Sequence, residues 1–241
     1  MKTIKKDDII TYDKFIVSRS NMSAYNLSKK LINNITMTSF LLFISGPVGC
    51  GKSHLLYELS SCFAEKYPYE SSKIISVQTL IDDYICTLKA KDENLFYKKY
   101  VGNKLLLIDD FHCVAGLINT QEVLCDVFET LINSGTNIII TSEYEIGMFE
   151  RLSHLIKTSN NFHVNNIKKA DCYLRKKKLR IVLDKRKVKL NRYIFRYIVS
   201  NEKILLSSFD GLISKIKLKE KVERHKLRSK VILDLIKVYE R

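Results

Sequence analysis

Residues Gly46 to Ser53 read Gly-Pro-Val-Gly-Cys-Gly-Lys-Ser, a complete GxxxxGK(S/T) phosphate loop. The flanking sequence suits it. Leu41–Ser45 (LLFIS) is a short apolar run of strand type, and His54–Glu65 (HLLYELSSCFAE) has helical spacing. Glycines let backbone N–H groups close around a β-phosphate, and the new helix points its positive end at the same anion. Lys52 would neutralise β- and γ-phosphate oxygens as a catalytic residue, and the Ser53 hydroxyl would hold Mg²⁺. A Gly-rich turn can match such a pattern by chance, but here strand and helix agree with it independently. The loop, Gly46, Pro47, Val48, Gly49, Cys50, Gly51, Lys52 and Ser53, therefore predicts binding of ATP or ADP with Mg²⁺.

A second segment completes the chemistry. Lys104–Phe111 reads KLLLIDDF, a continuous apolar run of the kind a buried parallel strand shows, ending in Asp109 and Asp110. Carboxylates at the C-terminal end of such a strand face the ligand crevice of an open α/β sheet. Asp109 would touch Mg²⁺ directly or through one of its waters, and Asp110 would polarise the attacking water as the second catalytic residue. A strand followed by an acidic turn is the plainer reading, and the pairing with the phosphate loop argues against it. A third strand, Asn137–Thr141, ends in Ser142 and Glu143, which either contact the γ-phosphate or its water or form an ordinary strand terminus.

Strands are expected at 41–45, 73–77, 104–108, 137–141 and 162–164. They alternate with helices at 21–33, 54–65, 80–88, 94–100, 120–133 and 146–155, a parallel sheet with crossover helices. From Lys169 onward the pattern is helical: 169–184, 191–199 capped by Asn191, 207–217 capped by Ser207, and 219–239. Charge divides at the same place. Residues 1–167 hold 17 Lys and Arg against 18 Asp and Glu, and residues 168–241 hold 24 against 8, so the whole net charge of +15 belongs to the last third. Residues 168–196 carry thirteen basic side chains against two acids. Such a segment seeks nucleic-acid phosphates, an acidic protein or an acidic membrane face, or is a solvated surface. Reversing Lys176, Lys177 and Lys178 together is expected to flatten the salt dependence of DNA association and leave nucleotide binding intact.

Other classes are excluded by what is missing. Nothing reaches the roughly 18 consecutive apolar residues of a membrane span, and MKTIKKDDII turns acidic too early for a secretory signal. Six cysteines without CxxC spacing read as reduced thiols in a cytoplasm, not a disulfide frame or zinc site.

A phosphate-loop sheet domain (1–167) followed by a small, basic, all-helical lid (168–241) is the plan of AAA+ P-loop NTPases, with helices on both faces of the sheet. Within that class the chain resembles the DnaA replication-initiator family. Thr11–Asn21 (TYDKFIVSRSN) resembles the family's opening segment, T-F-D-x-F-V-x-G-x-S-N, which folds over the adenine; the resemblance thus implies that Ile16 and Asn21 contact nucleotide. Gly49–Leu56 (GCGKSHLL) resembles G-x-G-K-T-H-L-L, which adds His54. Leu105–Phe111 resembles L-L-I-D-D-I, and Gln121–Ser142 resembles a family segment that runs from Q-E into I-I-L-T-S. Leu80–Tyr100 sits where the family carries the helix facing single-stranded DNA.

The departures are specific. The family's inter-subunit arginine finger falls on Leu155, and its lid sensor arginine falls on Ser207. Weak intrinsic hydrolysis follows, with Arg151 and Arg175 the nearest cations by sequence to take over. The chain ends at Arg241 without room for the family's C-terminal DNA-reading domain, which resembles the truncated regulator Hda. Hda-like proteins carry a Gln-led clamp peptide, whereas the glutamines here are Gln78 and Gln121. The resemblance implies a role in replication initiation or its regulation, with DnaA or another replication protein as partner, DNA bound through residues 168–196, and homo- or hetero-oligomers possible. A DnaC-type helicase loader and a non-hydrolysing, nucleotide-bound nucleic-acid scaffold are the alternatives.

Overall fold

The structure, a computed structural model, describes residues 15–35, 39–92, 94–158, 161–223, 227 and 229–239. Five strands, β1 (Leu41–Ser45), β2 (Ser71–Ser76), β3 (Asn103–Asp109), β4 (Asn137–Ser142) and β5 (Phe162–Asn166), form one parallel sheet in the order β2-β3-β4-β1-β5. β1 and β4 are buried along their whole length, which explains their unbroken apolar sequence. Side chains alternate between the faces. Leu41 and Phe43 join Leu106, Ile108, Ile138 and Ile140 in one core, while Leu42 and Ile44 join Leu105, Leu107 and Ile139 in the other.

Helices α1 (Met22–Asn33) and α2 (Lys52–Lys66) cover the second core with Ile32, Leu55, Leu59 and Phe63. The first is covered by α3 (Val77–Lys89), α4 (Asn94–Tyr100), α5 (Ile118–Asn133) and α6 (Glu150–Thr158), through residues such as Leu80, Phe96, Phe128 and Leu152. The AAA+-type layout expected from the sequence is present, with shifted boundaries. The segment expected as one helix at 146–155 is a 3₁₀ turn at Ile146–Met148 followed by α6, because Gly147 supplies no packing side chain and carries the largest entropic cost in a helix.

After β5 come α7 (Cys172–Arg186), α8 (Arg192–Ser200), α9 (Phe209–Glu223) and α10 (Ser229–Lys237), packed on a third core that includes Leu179, Ile194, Phe209, Ile213 and Ile236. Asn191 caps α8 as expected, its Oδ1 accepting from the Ile194 N–H at 2.8 Å. Ser207 caps nothing. It lies inside a 3₁₀ turn, Leu206–Ser208, that runs straight into α9. The helix expected at 219–239 is the end of α9 plus α10. Asp171 caps α7, its Oδ1 accepting from the Leu174 N–H at 2.8 Å.

Arg175 knots these helices together. It is 5% exposed, and its guanidinium donates to the carbonyls of Ile198, Val199, Asn201 and Ile204 at 2.5–2.8 Å while stacking on Phe209. Burial pulls its pKa below the ordinary value, partly offset by the Glu202 carboxylate. These carbonyls lie at the end of α8 and in the turn after it, where a planar five-donor fork can satisfy them together; that of Asn201 also accepts from the Ile204 N–H at 3.2 Å. Arg175→Leu is expected to destabilise the C-terminal helices by about 3 kcal/mol or more, since each abandoned carbonyl costs about 1–3 kcal/mol. Arg175→Lys should recover little of it. Urea denaturation by circular dichroism, with amide exchange in α8, measures both.

Candidate functional site

The phosphate loop leaves β1 at Ser45, and the Gly46 N–H donates to the Ser142 carbonyl of β4 at 3.1 Å. Gly51 adopts φ +102°, a conformation a side chain rarely tolerates, and so lets α2 begin at Lys52 with its N-terminus turned into the loop. Lys52 is buried, and its Nζ donates to the Gly46 and Pro47 carbonyls at 2.8 and 3.2 Å. The loop therefore encloses a cation beside the N-terminal end of α2, which together suit an anion.

Carboxylates gather at the ends of β3 and β4. Asp109 accepts from the Thr141 hydroxyl and, at 3.0 Å, from the Asp110 N–H, so it is braced against β4. Asp110 follows in the left-handed region at φ +60°, ψ +37°, which swings its side chain to the cleft. His112 stands between the two cleft carboxylates, 3.9 Å from Asp110 Oδ1 and 4.0 Å from Glu143 Oε2. Burial, and then the neighbouring Asp109 charge, raise the Asp110 pKa, with His112 and Lys52 opposing.

The opposite end of the cleft is aromatic. Phe15 stacks on Tyr25 at 5.7 Å and meets the His54 ring edge-on at 5.3 Å. Ile16 and Asn21 lie beside them. Asn21 is buried, and its amide is committed to its own turn: Oδ1 accepts from the Ser18 N–H at 2.8 Å and Nδ2 donates to the Ile16 carbonyl at 2.9 Å. Residues 11–14 of the expected adenine segment lie outside the described residues. This strap is tied to α7, for the second Asp171 oxygen accepts from the Ser20 N–H at 3.2 Å, and the Lys168 N–H donates to the Ser20 carbonyl at 2.9 Å. Although burial works against it, the bonds from Leu174, Ser18 and Ser20 hold the Asp171 pKa below the usual carboxylate range.

The C-terminal helices close the cleft. Leu174, Lys178 and Lys185 of α7, with Leu206, Ser207 and Asp210 at the start of α9, face Gly49–His54, Asp110 and Glu143 across about 550 Å³. Contact is close: a Cβ on Gly49, itself at φ +70°, would lie 3.1 Å from Leu205 Cβ and 3.4 Å from Ser207 Oγ. Volume, aromatic end, N–H cradle and acidic end fit a nucleoside polyphosphate. Mg²⁺ keeps several waters and takes one or two protein oxygens, for which Ser53 and the carboxylates at the β3 end would be the candidates.

The sequence pattern of the bacterial DnaA ATPase domain matches residues 6–166. The chain belongs to the bacterial DnaA ATPase domain family. Chromosomal replication initiator proteins DnaA from Ehrlichia ruminantium and Aliarcobacter butzleri are 24% and 28% identical to it, over 87% and 86% of this chain but 46% and 47% of their own length. The chain thus spans about half the length of these relatives. Among solved structures, domain III of Thermotoga maritima DnaA superposes with a TM-score of 0.76 at 23% identity, covering 94% of this chain and 95% of that one. A replication initiator DnaA bound to AMPPCP and single-stranded DNA superposes at 0.72 with 28% identity, covering 87% of this chain and 66% of that one.

Several positions differ from what the DnaA resemblance and the motifs suggested. Val48 is half exposed and lines a separate cavity of about 330 Å³ with Pro47, not the main cleft, while Gly46 and Pro47 turn their carbonyls to Lys52. Arg151 pairs with Glu122 on the surface and Arg175 is buried beneath α8, so neither reaches the cleft. Leu155 is packed into the core. Lys178 is a wall of the cleft, so reversing Lys176–Lys178 together alters the cleft as well as the surface. Phe15, Lys178, Lys185 and Asp210 were missed. Phe15 was within reach through the aromatic of the opening motif; the others need the packing of α7 and α9.

Asp110→Asn is expected to stabilise the protein above the raised folded-state pKa, because an ionised, partly desolvated carboxylate is removed and Asn tolerates the left-handed region. The gain should vanish as pH falls below the ordinary carboxylate pKa, where Asp110 is protonated in both states. Thermal melts across pH 3–7 test the sign.

Proposed function

We propose that this chain is a Mg·ATP- or Mg·ADP-binding module of DnaA type that acts in replication initiation or its regulation. The observation that carries this reading is the single cleft in which the phosphate loop, the β3 and β4 carboxylates and the C-terminal helices meet. The similarity to an initiator bound to AMPPCP supports it. Residues 168–241 serve as the lid.

Phe15, Ile16 and His54 would hold the base, and the loop N–H groups with Lys52 the phosphates. Ser53 would hold the metal, with Asp109 kept in place behind it by Thr141. Bound Mg²⁺ would neutralise charge on the phosphate oxygens. Asp110 and Glu143 would hold and polarise a water at the far end, with His112 between them.

The burial of Leu155 favours slow turnover. An arginine finger is worth about 10³–10⁵ in rate, and the finger position here points into the core. The same observation favours a nucleotide-bound scaffold as second reading. Turnover by the isolated protein should stay well below about one per second, the lower end of ordinary enzymes. Faster turnover, measured as phosphate release, would reject the scaffold and require another cation.

Calorimetry should show binding of Mg·ATP and Mg·ADP that Lys52→Ala abolishes; equal affinity in the variant ends the nucleotide reading.

DNA is the second proposed ligand. Lys176, Lys177, Arg180, Arg192 and Arg196 are exposed, interleaved with exposed Tyr173 and Tyr193. Log affinity should fall linearly with log salt by about 0.9 per duplex phosphate contacted, and scrambling the sequence should matter little. Lys176→Glu with Lys177→Glu and Arg180→Glu should flatten that slope while sparing nucleotide. No association at about 50 mM salt would assign this face to an acidic protein partner, as in an Hda-like regulator.

A further inference from the structure

The cleft contains two lysines that the phosphate-loop chemistry does not use. Lys178 and Lys185 are seven residues apart on α7, which is about two helical turns and about 10 Å of rise, so both lie on one face of the helix. That face is the one turned to the phosphate loop.

Asp210 lines the same cleft as the two lysines. The charges that hold its carboxylate below the ordinary pKa are first Arg186, which hydrogen-bonds it with both Nε and a terminal nitrogen, and then Lys185 and Lys178. Asp210 lies one turn beyond Ser207, whose hydroxyl abuts Gly49 of the phosphate loop. Lys178 and Lys185 therefore share with Ser207 and Asp210 the helical wall that faces the phosphate loop. Acids also face this space: Asp110 and Glu143 from the sheet, and Asp210 from α9. Three cleft carboxylates oppose an incoming polyanion, and Lys52, enclosed by the loop carbonyls, is the lysine set against them from the sheet side. Cations on the helical side correct that imbalance.

We propose that Lys178 and Lys185 are phosphate-contacting residues, the cations by which the helical lid grips the polyphosphate of a bound nucleotide. The proposal rests on the nucleotide reading above. It makes the lid's hold depend on phosphate charge, while Arg186 retains Asp210. It also separates two roles within one basic helix, since Lys176 and Lys177 face solvent.

The test is calorimetry with three probes, Mg·ATP, Mg·ADP and adenosine. Relative to wild type, K178A/K185A should weaken Mg·ATP about tenfold or more per lysine, the scale of a hydrogen bond to a charged group. Mg·ADP should weaken less and adenosine not at all. K178Q/K185Q, which keeps the stems, should show the same loss, and K178R/K185R should restore most of it. K176A/K177A should leave all three affinities unchanged. Unaltered Mg·ATP affinity in K178A/K185A and K178Q/K185Q, beside a wild type that binds, overturns this proposal alone. Equal weakening of adenosine and Mg·ATP also overturns it, because the lysines would then be shaping the lid. Failure of the wild type to bind Mg·ATP overturns the nucleotide reading and this proposal with it.

Discussion

Lys52 is a cation enclosed by backbone. Its ammonium is satisfied by two carbonyls of its own loop and by no carboxylate hydrogen bond among the described residues. A charge taken out of water needs compensation, and here the neutral acceptors leave the loop with a net positive field. That arrangement depends on β1, which is buried on both faces and paired with β4 and β5, so the loop has one rigid point of departure. The registers Ser45 with Ser142 and Ile108 with Ile140 bring the ends of β1, β3 and β4 level with one another. The carboxylates at the β3 and β4 termini then face the loop without any long excursion of the chain.

What the sequence disclosed follows from this construction. β1, β3 and β4 were legible because strands covered on both faces must be apolar throughout. The loop was legible because its geometry demands glycines at fixed positions. β5 was harder to bound, since an edge strand with His163, Asn165 and Asn166 has no such signature. Ser207 reads as a helix cap by residue type, yet a 3₁₀ turn beginning at Leu206 already supplies the entrance to α9. The roles within the basic run Arg175-Lys176-Lys177-Lys178 were hidden for a different reason. Four adjacent positions on a helix point in four directions, so one residue is core, two are surface and one is cleft. Composition reports their sum, and only the packing of α7 against α8, α9 and the sheet divides it.

The same division shapes the electrostatics of the C-terminal helices. Arg175 spends its charge on backbone carbonyls and organises the turn from which Leu205 reaches Gly49. Arg186 spends its charge on Asp210. The exposed remainder of the basic set presents a field to solvent. A net charge of +15 thus resolves into structural, cleft-facing and solvent-facing parts.

Asp171 gives this organisation a mechanical side. One of its oxygens fastens the first turn of α7 and the other fastens the strap that passes over the aromatic end of the cleft. Strap and helical arm are therefore two leaves on a single pin. Any swing of α7 about Lys169 and Ala170 must either carry Ser20 with it or break the carboxylate's grip. The two ends of the cleft wall are thus joined through one carboxylate, and a displacement of one leaf is felt by the other.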